Sequence, residues 1–186
     1  MKGPLRHIPN ILTALRLAAA PAFAALLVSG NDRAALGIFA LAGLSDAADG
    51  FLARHFGMTT RFGRYLDPAA DKLLMLAAFL TLAFLHLSPW WLTVLVIARD
   101  LAIVLAVIVS FALSLPLHIQ PLFIGKVNTV VQVSYIGLML IFLVFGVEAP
   151  QILAWAAMIT AIFTLLSWFS YAGLWFGALF ARNKVA

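Results

Sequence analysis

Apolar residues run along this chain in blocks long enough to cross a bilayer, separated by short clusters of turn-forming or charged residues. At about 20 residues per span, the blocks predict six helices, at about 10–29, 34–55, 62–87, 92–114, 124–147 and 151–176. The first break is the turn Gly30-Asn31-Asp32-Arg33, and the second a polar-leaning loop at 56–61. Ser88-Pro89 follows, then a stretch at 115–123 with two prolines and His118, then Glu148-Ala149-Pro150. Pro9 and Asn10 suit the start of the first helix, because proline is tolerated there and Asn is a good N-cap. Trp90 and Trp91 sit where aromatic side chains anchor a span at the membrane surface. The expectation is an all-α integral membrane protein. A single domain, residues 1–186, forms a bundle of six transmembrane helices.

Composition strengthens this reading. The chain is 65% hydrophobic and 10% charged, where a soluble domain is about half apolar and a quarter charged. Lys2, Arg6 and His7 before an apolar run resemble a signal peptide. Thr13 and Arg16 interrupt that run, however, and it is long for such a segment, so it reads as a retained first span. The net charge of +5 does not argue for nucleic acid, because the basic residues are scattered and gather at span ends. Lys2, Arg6, Arg54, Arg61, Arg64, Arg182 and Lys184 fall on one side of a six-span chain. That bias places both termini and the loop between spans 2 and 3 on the cytoplasmic side of the inner membrane. Cysteine is absent, which removes disulfides and thiolate chemistry.

The acidic residues change the picture from a membrane protein to a membrane enzyme. Four of the chain's seven, Asp46, Asp49, Asp67 and Asp71, fall between positions 46 and 71. Asp46 and Asp49 are three apart, and Gly63, Asp67 and Asp71 step by four, so each set shares a helix face. Carboxylates at such depth are costly and mark function. Four together stay ionised only with cations nearby. Oxygen-only ligation suits Mg²⁺, Mn²⁺ or Ca²⁺, and Mg²⁺ completes its shell with water and substrate phosphate. Two such ions can clamp a displacement at phosphorus while one carboxylate acts as base. A polar metal site at the cytoplasmic end of the bundle is therefore expected.

Asn10, Thr13 and Arg16 step by three near the same end. A divalent-cation transporter is the alternative of another class, since ion pathways also carry intramembrane carboxylates. It fits less well, because the far halves of the spans are apolar and no internal repeat is visible. Arg99-Asp100 near the middle of span 4 reads either as a paired couple or as an anion-binding Arg held by an acid. Lys126, beside Asn128 and Thr129 at the start of span 5, reads as a ligand group. Span 6 is nearly all apolar, with Ser167, Ser170 and Tyr171 as mild exceptions, and is assigned to packing or dimer contact.

The pattern D-x2-D-G-x2-A-R-x8-G-x3-D-x3-D, complete from Asp46 to Asp71, resembles the signature of the CDP-alcohol phosphatidyltransferase family, as does the six-span layout. The resemblance implies that Asp46, Asp49 and Asp67 bind metal, Mg²⁺ or Mn²⁺ and two ions in all. It makes Asp71 the general base, touching the second ion as well. It places Gly50, Ala53, Arg54, Thr60 and Gly63 in the CDP-diacylglycerol site, joined by Asn10 and Thr13, which match an N-terminal Asn-x-x-Thr element. It puts Arg99 and Lys126 where an acceptor phosphate is held, and it implies a homodimer. The stretch from Pro121 to Gln132, with Ala98-Arg99-Asp100, most resembles the cardiolipin synthase (CMP-forming) branch. The element Ile8 to Arg16 is shared with phosphatidylglycerophosphate synthases, which more usually carry Arg-Glu in place of Arg99-Asp100 and Lys-Thr in place of Asn128-Thr129. The expected reaction joins CDP-diacylglycerol to phosphatidylglycerol, giving cardiolipin and CMP. The alternative is a phosphatidylglycerophosphate synthase using glycerol 3-phosphate.

Overall fold

A computed structural model describes residues 8–56, 63–112 and 122–182, with side chains for Leu15 and within 17–45, 72–110 and 122–177. Among the described residues the elements are all helical, six in number: α1 Ile8–Val28, α2 Asp32–Phe56, α3 Gly63–Phe84, α4 Trp90–Ala112, α5 Phe123–Phe145 and α6 Pro150–Arg182. Among the described residues, three stretches are long and apolar enough to cross a membrane: Trp90–Ser110, Phe123–Phe145 and Pro150–Gly177. Shorter apolar stretches run over Leu17–Val28 and Lys72–Phe84. This is a membrane protein, and each of the six expected spans corresponds to a helix. Pro21 lies inside α1, which a membrane helix accommodates more readily than a soluble one.

Helices α1, α3 and α5 end in the same way. After α1 the N–H of Gly30 bonds the carbonyl of Leu27, and that of Asn31 bonds Leu26. After α3 the N–H of His86 bonds Ala83 and that of Leu87 bonds Leu82; after α5, Gly146 bonds Leu143 and Val147 bonds Phe142. Each is a paired closure in which the residue after the cap turns left-handed. Gly30 and Gly146 have φ of 75° and 63°, and His86 has φ of 57°. Span 3 was expected to reach Leu87, because Leu85 and Leu87 continue its apolar run. It stops at Phe84 because His86 takes the conformation that glycine normally supplies. A side chain there strains the backbone by about 1–2 kcal/mol. His86→Gly is therefore expected to raise the unfolding temperature in detergent, by about 1 kcal/mol of added stability. An unchanged or lower temperature would show that the imidazole stabilises the turn by more than it strains it. Asn31 then starts α2, its Oδ1 accepting from the N–H of Ala34 at 3.4 Å.

The chain forms two compact units, Met1–Leu87 with Ile136–Glu148, and Ser88–Tyr135 with Ala149–Ala186. In the first, α1 packs against both α2 and α3. Ala20, Phe23 and Leu27 of α1, Ala35, Phe39 and Ala42 of α2, and Leu74, Ala78 and Leu82 of α3 are buried at helical spacing. The Phe23 and Phe39 rings lie 6.0 Å apart, and the small alanines let the helices approach closely. In the second unit α4 packs on α6. Its interior is polar by comparison: Thr93, Arg99, Asn128, Gln132, Thr160, Thr164 and Ser167 are all buried. In hydrocarbon such groups must find partners within the protein, and those partners define the site.

Candidate functional site

The fold distributes the predicted residues over both units. In the first, Asp46, Asp49, Gly50, Ala53 and Arg54 occupy the last turns of α2, and Gly63, Asp67 and Asp71 the first turns of α3. Asn10, Thr13 and Arg16 lie in the first turns of α1, the helix that packs on both of the others. Thus the backbone carries both aspartate pairs on the predicted helical spacing, at the end of one helix and the start of the next. Their side chains, and Thr60 and Arg61 altogether, lie outside the described residues. Among the described residues no cluster of three or more His, Cys, Asp or Glu is present. The donor set itself is all-oxygen, and the chain has no cysteine. That chemistry fits Mg²⁺ or Mn²⁺ and not a soft metal.

The second unit can be described atom by atom. Arg99, in α4, is 5% exposed. Its Nη1 donates to Asp100 Oδ1 at 2.7 Å and its Nη2 to Ser167 Oγ of α6. The guanidinium carbon stands 5.6 Å from the centroid of the Tyr171 ring, within cation–π range. The acid pairs one end of the fork and holds the arginine at a fixed position, the paired couple that the sequence offered as one reading.

Tyr171 also reaches α5. Its hydroxyl accepts the N–H of Leu122 at 3.1 Å, just before the first turn of that helix. Gly125 makes this possible, since a Cβ at that position would lie 2.9 Å from the hydroxyl oxygen. Lys126 follows directly and is exposed. One tyrosine thus touches the guanidinium of Arg99 and the segment that carries Lys126, the two cations expected to hold an acceptor phosphate.

Deeper along α5, Gln132 Nε2 donates to Thr164 Oγ1 at 3.4 Å, and Thr164 donates to Asn128 Oδ1 at 3.1 Å. Thr160, Thr164, Ser167 and Tyr171 fall at helical spacing on one face of α6. Span 6 was assigned to packing or dimer contact; it does pack on α4, and this face also supplies hydrogen-bond partners to α4 and α5. The signal was present in the spacing, but each hydroxyl looked minor when read singly.

Beside this polar face lies an apolar groove between α4 and α6, with a cavity of about 330 Å³. Ala102, Ala106, Val109, Tyr171, Ala172 and Trp175 line it. Trp175 Nε1 donates to Ser110 Oγ at 3.0 Å, which ties its far end. Tyr171 is a wall of the groove on one side and the cover of Arg99 on the other.

The family model for CDP-alcohol phosphatidyltransferases matches residues 6–171. The chain belongs to that family. It is therefore a membrane-bound phosphatidyltransferase of phospholipid synthesis, in a family that typically uses a divalent metal. A "Probable phosphatidylglycerophosphate synthase" of Mycobacterium tuberculosis is 36% identical over 169 residues, 87% of this chain and 79% of that protein. The human "Cardiolipin synthase (CMP-forming)" is 34% identical over 180 residues, 88% of this chain and 60% of the human one. A Streptomyces coelicolor protein of the same name is 41% identical over 99 residues, half of this chain and 46% of its own. These relatives thus divide between phosphatidylglycerophosphate synthase and cardiolipin synthase at similar identity.

Proposed function

We propose that this phosphatidyltransferase is a CMP-forming cardiolipin synthase, with phosphatidylglycerol as acceptor. The observation that carries the choice is the apolar groove that shares Tyr171 with Arg99. A soluble acceptor such as glycerol 3-phosphate has no use for an apolar wall beside its phosphate-binding arginine. An acceptor that is itself a lipid does.

In this reading a hydroxyl of phosphatidylglycerol attacks the lipid-side phosphorus of CDP-diacylglycerol. Its proton passes to the Asp71 carboxylate, a new P–O bond forms, and the bond to CMP breaks. Asp46, Asp49, Asp67 and Asp71 would hold two divalent ions, Mg²⁺ or Mn²⁺, which when bound neutralise phosphate charge. Gly50, Ala53, Arg54, Thr60 and Gly63, with Asn10 and Thr13, bind the CDP-diacylglycerol. Glycine admits close approach of the nucleotide, and Arg54 can take two phosphate oxygens at once. Arg99 and Lys126 hold the acceptor phosphate. All six helices span the inner membrane as one domain, with termini and active site on the cytoplasmic side, and the protein works as a homodimer.

CMP release by purified protein in detergent, with CDP-diacylglycerol and Mg²⁺, tests the acceptor. Turnover is expected with phosphatidylglycerol and not with glycerol 3-phosphate. The groove is tested by Ala106→Phe, which fills it. The KM for phosphatidylglycerol is expected to rise about tenfold, the effect of a lost apolar contact of about 1.4 kcal/mol, with that for CDP-diacylglycerol unchanged. A rise for CDP-diacylglycerol instead would assign the groove to the donor's own chains. The similarity to the M. tuberculosis protein along most of both lengths favours the second reading, a phosphatidylglycerophosphate synthase. Turnover with glycerol 3-phosphate alone would establish it.

A further inference from the structure

Among the described residues, two buried donors in the second unit have no acceptor: Nε of Arg99 and Nδ2 of Asn128. Asn128 is wholly buried. Gln132 donates to Thr164, and Thr164 donates to the Asn128 amide oxygen, which faces α6. The NH₂ group is left with no acceptor among the described residues. Arg99 repeats the theme, with two nitrogens engaged on Asp100 and Ser167 and the third unmet. The anchors of these two side chains, Thr164 and Ser167, are three residues apart on α6. Such residues are neighbours on a helix, with Cβ atoms about 5–6 Å apart. A buried unpaired donor is costly, and two of them, on side chains anchored within one turn of α6, are explained by a ligand that brings oxygen atoms to both.

We infer that the Asn128 amide is a specificity-determining donor for the acceptor, binding the non-reacting hydroxyl of its glycerol while Arg99 takes the adjoining phosphate. The inference rests on the proposed reading of the acceptor as a glycerol carrying a phosphate ester. A neutral amide suits a neutral hydroxyl, as the guanidinium suits the anion. The chemistry is the same whether that glycerol phosphate is free or part of a lipid.

The test compares acceptors that differ by that one hydroxyl. Phosphatidylglycerol is set against phosphatidyl-1,3-propanediol of the same chains, and glycerol 3-phosphate against 3-hydroxypropyl phosphate. Each pair keeps the attacking primary hydroxyl. The unaltered protein is expected to prefer the glycerol compound by about 100-fold or more in kcat/KM, because the analogue leaves the buried donor unpaired. Asn128→Ala is expected to bring the two within about fivefold, with the KM for CDP-diacylglycerol unchanged, as in a double-mutant cycle. The pair that turns over identifies the lipid or the free source. Equal use of both members of that pair by the unaltered protein overturns the inference without any variant. So does a preference that survives in Asn128→Ala. If no glycerol acceptor yields CMP while another alcohol does, the acceptor reading fails and this inference falls with it.

Discussion

Asp71→Asn is expected to lower kcat for CMP release by about 10²- to 10⁴-fold, the usual contribution of a positioned base. Binding of CDP-diacylglycerol is expected to persist. The change keeps the size and shape of the side chain and removes its negative charge, and with it the ability to take a proton. Asp71 stands in the early part of α3, one turn after Asp67, so the two positions share a helix face. Kinetics and binding must be measured together. Loss of turnover with loss of donor binding would make Asp71 mainly a ligand for the metal and nucleotide. Turnover near that of the unaltered protein would remove it as the base.

The second large effect is expected at Arg99. Arg99→Ala takes away a charge-assisted bond to Asp100, a bond to Ser167 and the stack on Tyr171. A hydrogen bond to a charged group contributes about 1.5–3 kcal/mol, so the acceptor KM is expected to rise about 10- to 100-fold. The KM for CDP-diacylglycerol should stay within about twofold. Stability also falls, because Ser167 stays buried after its partner is gone. Arg99→Lys separates the two effects. It restores a charge, and with it part of the stability, but not the planar fork that engages Asp100 and Ser167 together. Acceptor binding should therefore recover only in part. Equal loss of affinity for donor and acceptor in Arg99→Ala would make Arg99 a structural residue.

The contrast between these two positions shows what was legible in the sequence. The aspartate pairs were visible because charge in hydrocarbon is rare and their spacing is helical. The helices holding them begin and end within a few residues of expectation, because apolar periodicity and turn residues act locally. His86 was harder to foresee. Its left-handed backbone is imposed by the closure of α3, and nothing in its residue type announces it. Helix α6 runs on to Arg182, past the expected end near Phe176, since no Gly or Pro stops it after Gly177. Above all, the polar face of α6 was missed. Thr and Ser are common in membrane helices, where they often bond their own backbone, as Thr160 does to Ala156 at 2.8 Å. Only contact across helices separates Thr164 and Ser167 from that ordinary case, and such contact has no local sequence mark.

The bonds from Gln132 through Thr164 to Asn128 have a consequence for how the protein assembles. In a bilayer one leucine-rich face is nearly as good a neighbour as another, because lipid tails compete on equal terms. Apolar matching alone would let α6 slide or rotate against α5 at little cost. A rotation of α6 by one residue turns Thr164 away by about 100° and strands two buried polar groups in hydrocarbon. The polar pair thus acts as a register pin, rejecting the misaligned pairings that lipid would tolerate. Thr164→Val, nearly the same in volume, would leave a helix that inserts as well as before but has lost its means of recognising the correct neighbour.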